Sequence, residues 1–543
     1  MTIQRYKCLD PRGSRSDIQY KSLTERKELI GNKVFLLDIC RPNSDTVSRI
    51  VKQHMKDFLP DSELVYHGKK NGYRYDEASE WWETLYREAA GVVLLVGDCG
   101  SGTMRMLEMQ NQLEDHGVPT VSIVCTPFIE DARAVSHTLG RNLRWIEIPY
   151  PITDITDDEL EKNIAPKAGA FAEALIKPLT AEEQFTGVVR EEQRPRYLVE
   201  GTILDIQEFF SEQELTDGLP IIPPTDAAVE AMLKGTSHAK DELVGKIPVE
   251  YLNATVEKVA INGVMCGCLP EHMPILLTIC EILADKQMDV NVSVRSTTGF
   301  AYWGFVNGPV AKEIGMNSST NALGPGNSAN ATIGRAIRMF IHNLGGARVG
   351  VNEMATMGNP LKYGFSFAEN EAESPWPPYH VDKGFDAGES CVTVCESWGF
   401  RTQGLTSYGK VMGLENILWS AKNVESAFGL GKERGIMILL DPLLAKQLAA
   451  RGIKKQDIQE YMWKNLTRTV AEWKNCLSYS SDVRGNLYPA EYLDLPDDAE
   501  IPKLAGPKNV QIVVVGGENS PFYQIYDSVN PYHCVTKSIE KWR

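Results

Sequence analysis

The chain has 543 residues, a net charge of −16, and hydrophobic and charged residues at 43% and 24%. A single core stops growing at roughly 250 to 300 residues, so two or three domains are expected. The acidic balance argues against nucleic acid and against an anionic membrane surface as partners, because neutralising phosphates needs a basic face.

No apolar stretch approaches the length of a bilayer, and the opening MTIQRYKCLDPRGSRSD lacks the apolar centre of a signal peptide. The expected compartment is therefore the cytoplasm. Eleven cysteines, an odd number with no CxxC pair and no zinc spacing, read as free thiols, metal ligands or catalytic groups rather than a disulfide framework.

Residues 1–30 are polar and without sustained period, and read as an arm or mobile lead-in. From 31 to 185 apolar strand-like runs alternate with amphipathic helical ones. The strands are 34–38, 63–67, 92–97, 118–125 and 143–148, and the intervening helices include 46–59, 77–90 and 130–140. This is the pattern of a doubly wound parallel α/β sheet of Rossmann or flavodoxin type. Ligands of such sheets sit at the carboxyl ends of the strands, so 38–42, 99–103, 125–128 and 149–151 should share one rim.

The third strand breaks into Asp98, Cys99, Gly100, Ser101, Gly102 and Thr103 before a helix. Unpaired N–H groups and the dipole at such a helix start favour an anion. Cys99 can be that anion as a thiolate nucleophile, with the N–H groups of 100–103 stabilising charge. A buried structural cysteine, or a glycine loop that holds phosphate, would leave the same pattern. Cys125 at the next strand end could approach Cys99.

Residues 186–215 read as a linker, and 216–543 as a larger C-terminal α+β or α/β domain. Thr225 should cap a helix after the proline-set 216–225. A buried helix over 270–283 begins among Cys266, Cys268, Glu271 and His272. Cys268 reads as a second activated thiol at a helix start. Cys266, Cys268 and His272 read alternatively as soft-metal ligands, although no fourth ligand is evident. The loop 317–330, with Asn330 and then Arg335 on the following helix, offers a seat for a carboxylate or phosphate. Glu369 and His380 lie in a proline-braced stretch and are acid–base candidates.

The segments 98–103, Gly117-Val-Pro-Thr-Val-Ser-Ile-Val-Cys-Thr126 and Ile146-Glu-Ile-Pro-Tyr-Pro-Ile152 resemble the UGSC family. That family carries selenocysteine or cysteine, Gly, Ser, Cys, Thr after a strand, then a G-I-P strand and an H-P element. More distantly the region is similar to the selenoprotein B subunits of glycine and betaine reductases. By that resemblance Cys99 holds the selenocysteine position, while Gly102 replaces the second cysteine and Tyr150 the histidine. The pieces DGLPIIPPT, NGVMCGCLPE, GPGNSANATIGRA and ENEAESPW resemble a companion module of UGSC-type domains.

The resemblance implies an enzyme that cleaves a carbon–heteroatom bond of a small polar substrate through an adduct on Cys99. Asp98 and the 100–103 loop would bind it, Cys268 would supply a second thiol, and segments 262–272, 321–335 and 366–380 would close the cleft. A partner reductase or a homo-oligomer fits that scheme, and no cofactor is specified. Hydrolysis or transfer through a thioester on Cys99, and a metal-binding or ligand-sensing role without turnover, are the alternatives.

Overall fold

A computed structural model describes the chain apart from residues 1–3, 27–28, 30–31, 40, 42, 69–79, 153–154, 191–192, 406–412, 423–434, 477–491 and 493. The first lobe follows the alternation read from the sequence. It runs β1 (Lys33–Asp38), α1 (Ser44–Met55), β2 (Glu63–Gly68), α2 (Glu80–Glu88), β3 (Ala89–Gly97), α3 (Gly100–Asp115), β4 (Thr120–Cys125), α4 (Ile129–Thr138) and β5 (Trp145–Ile148). The strands are parallel in the order β2-β1-β3-β4-β5. This is the flavodoxin-type winding, whose direction of growth reverses between β1 and β3. Strands covered by helices on both faces have no polar side to show, and β1, β3 and β4 are accordingly near-continuous buried apolar runs.

The N-terminal arm is a correction to the sequence reading, because it is built into both lobes. Tyr6–Leu9 pairs antiparallel with Tyr197–Gly201, and Ile18–Tyr20 with Gly187–Val189, so the arm and the segment read as a linker cross between the lobes side by side. Cys8 and Leu9 are buried in the core of the second lobe. Asn262 Nδ2 donates to Pro11 O at 2.8 Å and Lys258 Nζ to Asp10 O at 2.6 Å. At the other end Arg26, fully buried, pairs with the buried Glu114 of α3 at 3.0 Å.

The second lobe is layered. Helices α5 (Val256–Cys266), α6 (Met273–Leu283), α7 (Val290–Arg295) and α8 (Ser328–Met339) join strands β6 (Ala301–Asn307), β7 (Ser366–Ala368) and β8 (Cys391–Ser397), with the short helix α9 (Tyr379–Asp382) between the last two. There follow β9 (Gly399–Leu405), β10 (Gly435–Leu440), α10 (Lys455–Asn465), β11 (Val510–Val514), β12 (Phe522–Val529) and β13 (Cys534–Ser538). One mixed sheet is ordered β7-β6-β8-β13 and the other β9-β12-β10-β11.

Period-two alternation sorts the layers. In β6, Tyr302 and Val306 face α5, α6 and α8, whereas Trp303 and Phe305 meet Met437 and Leu439 of the other sheet. In β10, Ile436, Ile438 and Leu440 face the far side, where Ile458 and Met462 of α10 lie. The lobe is thus helices, sheet, sheet, helices, a definite form of the expected mixed C-terminal region. Thr225 caps its helix as expected, its side chain accepting from Ala228 N–H. Among the described residues no helix is long and apolar enough to cross a membrane.

Removing one partner of a buried ion pair strands the other charge and typically costs 3–5 kcal/mol. Glu114→Ala should therefore lower unfolding free energy by about that amount, because Arg26 has no solvent to turn to. Urea denaturation of the two proteins measures it, and a change under about 1 kcal/mol would show the arm is not fastened there.

Candidate functional site

Cys99 stands at the reversal of strand order, between the end of β3 and the start of α3. Its backbone is extended (φ −152°, ψ 161°), and Sγ accepts the Gly102 N–H at 3.2 Å, so a sulfur fills the helix N-cap place usually taken by a Ser, Thr, Asp or Asn oxygen. Ser101 Oγ is 3.6 Å from Sγ. The first turn of the sixteen-residue α3 contains no acid. The positive end of its dipole is therefore not neutralised from within, and it favours negative charge at the cap.

The four strand ends do share one rim. Arg41, after β1, is ion-paired with Asp98, after β3. A Cβ placed on Gly102 would lie 2.9 Å from Cys99 Sγ and 3.5 Å from Arg41 Nε, which puts the guanidinium beside the sulfur. Asp38 at the end of β1 accepts from Ser44 Oγ at 2.5 Å and Tyr66 OH at 2.6 Å. Cys125 ends β4 and Tyr150 follows β5. Burial pushes the Cys125 thiol up, with Asp98 and Cys99 adding to the shift. Burial also raises the Tyr150 phenol, helped by Asp98, Cys125 and Cys99. Cys125 and Tyr150 are within electrostatic reach of Cys99.

The second lobe closes over the helix start through α7. A Cβ on Gly100 would meet the Arg295 carbonyl oxygen at 2.1 Å and Met354 Cγ at 3.1 Å. Arg295 is buried and held from both lobes: Nε donates to Asn291 Oδ1 at 2.7 Å, NH2 to Val249 O at 3.1 Å, and the guanidinium pairs with buried Asp131 of α4. Arg105 of α3 reaches Asp289, just before α7, at 3.2 Å. These contacts correct the expected lining: residues 289–295 and Met354 touch the Cys99 helix, in place of 262–272, 321–335 and 366–380.

Asp98 is spent on Arg41, an anchor rather than an anion ligand. Thr103 N–H is taken by Cys99 O within the helix, and Gly102 N–H by the sulfur. Cys268 is not at a helix start. Gly267 is the left-handed cap that ends α5 (φ 87°), and Cys268 follows it, with its N–H bonded to Gly263 O. Burial pushes its thiol up to about 12, the opposite of activation. Cys266 is likewise raised by burial.

His272 is buried, with Nδ1 accepting the Leu269 N–H at 3.2 Å, and burial lowers its pKa. Among the described residues no three His, Cys, Asp or Glu side chains are grouped to hold a metal, so the reading of Cys266, Cys268 and His272 as ligands is not supported. Asn330 uses its amide on Asn317 and on Ala322 O, and Arg335 is bidentate to Asp217 at 2.8 Å. Asn330 braces the 317–322 loop and Arg335 the 217–219 segment, in place of an anion.

Glu369 and His380 form a third cluster. Glu369 Oε2 accepts from Asn307 Nδ2 at 2.6 Å and Tyr379 N–H at 2.8 Å, and burial raises its pKa. His380 is fully buried, with Glu371 Oε1 3.9 Å from Nδ1. This cluster lies at the Asn307 end of β6, whereas Arg295 precedes the other end. A seven-residue strand spans roughly 20 Å, so these two are not acid–base partners of Cys99.

Sequence reasoning passed over Arg41, whose position after a strand end was its signal. It missed Arg295 and Asp131 altogether, since nothing local marks a cross-lobe pair.

Residues 7–181 match the UGSC family, so the first lobe, arm included, is a UGSC-like domain. No curated protein and no solved structure matches the chain.

Two outcomes check the site. Iodoacetamide at pH 7 should label Cys99 ahead of Cys8, Cys268 and Cys391, whose thiols burial raises to about 12 and so keeps protonated up to pH 9. Peptide mass spectrometry reads the order, and labelling of Cys268 first would reverse the assignment. Gly100→Ala should part α3 from α7 and lower stability by about 1–3 kcal/mol, as overpacking does. Denaturant titration measures that loss.

Proposed function

We propose that the protein is a cysteine-dependent enzyme that cleaves a carbon–heteroatom bond in a small polar substrate through a covalent adduct on Cys99. The observation that carries this reading is Cys99 Sγ as N-cap acceptor at the sheet's reversal point, with Arg41 and Tyr150 around it. Ligands of this sheet type gather there.

In this scheme Sγ attacks carbon as the thiolate. The C–S bond forms while the bond to the heteroatom breaks, and the leaving group departs with the electron pair. Tyr150, a phenol that is protonated at neutral pH as tyrosines ordinarily are, supplies its proton. Asp98 holds Arg41 in place, so that a donor faces the reacting group without freedom to swing.

Release of a thioether requires a second thiol, which attacks the adduct sulfur. The S–S bond forms, the C–S pair passes to carbon, and carbon takes a proton: two electrons leave the thiol pair and reduce the substrate fragment. Gly102 stands where the UGSC pattern has its second cysteine, and Cys125 is held protonated by burial. The releasing thiol is therefore external, a small thiol or a partner reductase.

Chloroacetate is a minimal substrate with a carbon–heteroatom bond. Intact mass should show one carboxymethyl adduct, lost in Cys99→Ser and retained in Cys268→Ser. An adduct that survives Cys99→Ser would sink the proposal. A second prediction concerns Gly102→Cys. In a disulfide each Cβ is about 3 Å from the opposite sulfur, given an S–S bond of about 2.04 Å, and the 2.9 Å at position 102 meets that condition. Mild oxidation of Gly102→Cys should remove two titratable thiols and block chloroacetate labelling, with both restored by reductant.

A further inference from the structure

The second lobe has a cavity of about 710 Å³ at the open edge of β11, remote in chemistry from Cys99. Its wall is assembled from α9, α10, β11 and the turns at 508–509 and 530–532. The volume is in the range that takes a whole small metabolite.

Charge is what marks this cavity in an acidic chain. Lys383, Lys455 and Lys508 line it against one carboxylate, Asp382. Lys455 is buried and bonded to Asp382 Oδ2 at 2.8 Å and Pro377 O at 2.7 Å. Lys383 donates to Gln511 Oε1 at 3.1 Å and sits 4.8 Å from the Tyr379 ring centroid; a neutral amide and a ring hold it, and neither cancels its charge. Gln511 is fixed in turn by Tyr379 OH at 2.8 Å. Lys508 is exposed and has no ion-pair partner among the described residues. Behind Lys455, Glu369 is 4.0 Å away, but burial favours its neutral form and weakens any compensation.

The lining contains no arginine. A planar carboxylate is read best by an arginine fork, whereas lysines act as point charges on phosphate. Two surplus positive charges match a phosphate dianion. The remaining wall is largely side-chain amide, including Gln459 and Asn509, which suits hydroxyl groups rather than an apolar body.

We propose that this cavity binds a small phosphomonoester with a hydroxylated body, its phosphoryl group among Lys383, Lys455 and Lys508 and its hydroxyls on the amide wall. The site stands independently of any chemistry at Cys99.

Calorimetric titration of the full chain at pH 8 and low salt, with inorganic phosphate and then ribose 5-phosphate, tests it. Both should bind saturably at one site per chain, the sugar phosphate at least tenfold tighter. Lys508→Gln and Lys383→Gln, each exposed and each checked for unchanged circular dichroism and melting, should weaken both probes at least fivefold. Cys99→Ser should leave both unchanged. Absence of saturable binding, affinity unchanged in both lysine variants, or loss of binding in Cys99→Ser would overturn the assignment. A sugar phosphate no tighter than phosphate itself would overturn the hydroxylated body.

Discussion

The structure turns on a backbone contact with no side chain in it, the approach of Gly100 to the carbonyl of Arg295. Any Cβ at position 100 would occupy that oxygen's place. The first turn of α3 can therefore press on the second lobe only because it begins with glycine. Arg295 is itself fixed by Asp131 across the lobe boundary and by Asn291 and Val249 on its own side. Water is displaced from the helix start as a result, and charge interactions there are less screened than at an open surface. The Cys99 sulfur, the helix dipole and the lobe interface are one construction.

The crossing strands follow from the same requirement. Two lobes joined by a single linker would be free to reorient. Here the arm returns beside the linker, with Tyr6–Leu9 and Ile18–Tyr20 each pairing to it, and Arg26 locking its far end into α3 through Glu114. The helix that carries Cys99 is thus held at its start by α7 and near its end by the arm.

The first sheet was legible in the sequence because buried parallel strands and amphipathic helices have periods that differ and alternate, and β1, β3 and β4 show theirs without interruption. The rim was legible for the same reason, since winding alone brings strand ends together. The arm was not, as Cys8 and Leu9 are two apolar residues whose partners lie some 190 positions on. Cys268, Asn330 and Arg335 misled for a common physical cause. Glycine-rich turns leave backbone groups that must be satisfied, and polar side chains placed nearby serve that need first. Asn330 answers to Asn317 and Ala322, and Arg335 to Asp217, so residue types that suggest ligand binding are consumed by the fold.

The two lobes also differ in the electrostatic setting they offer within a chain of net charge −16. Around Cys99 the nearby cation, Arg41, is matched by Asp98, and what remains is the helix dipole with the Gly102 N–H aimed at the sulfur. Such a field is short-ranged and suits charge that develops during a reaction, because it costs no rearrangement when that charge appears. At the edge of β11 the cations outnumber the acids and are steadied by amides and a tyrosine ring. A surplus of that kind attracts charge already present on a ligand and does so at longer range. In the proposed roles, transient charge in the UGSC-like lobe and standing charge in the layered lobe need opposite electrostatic settings, and the roughly 20 Å of β6 between them lets each keep its own.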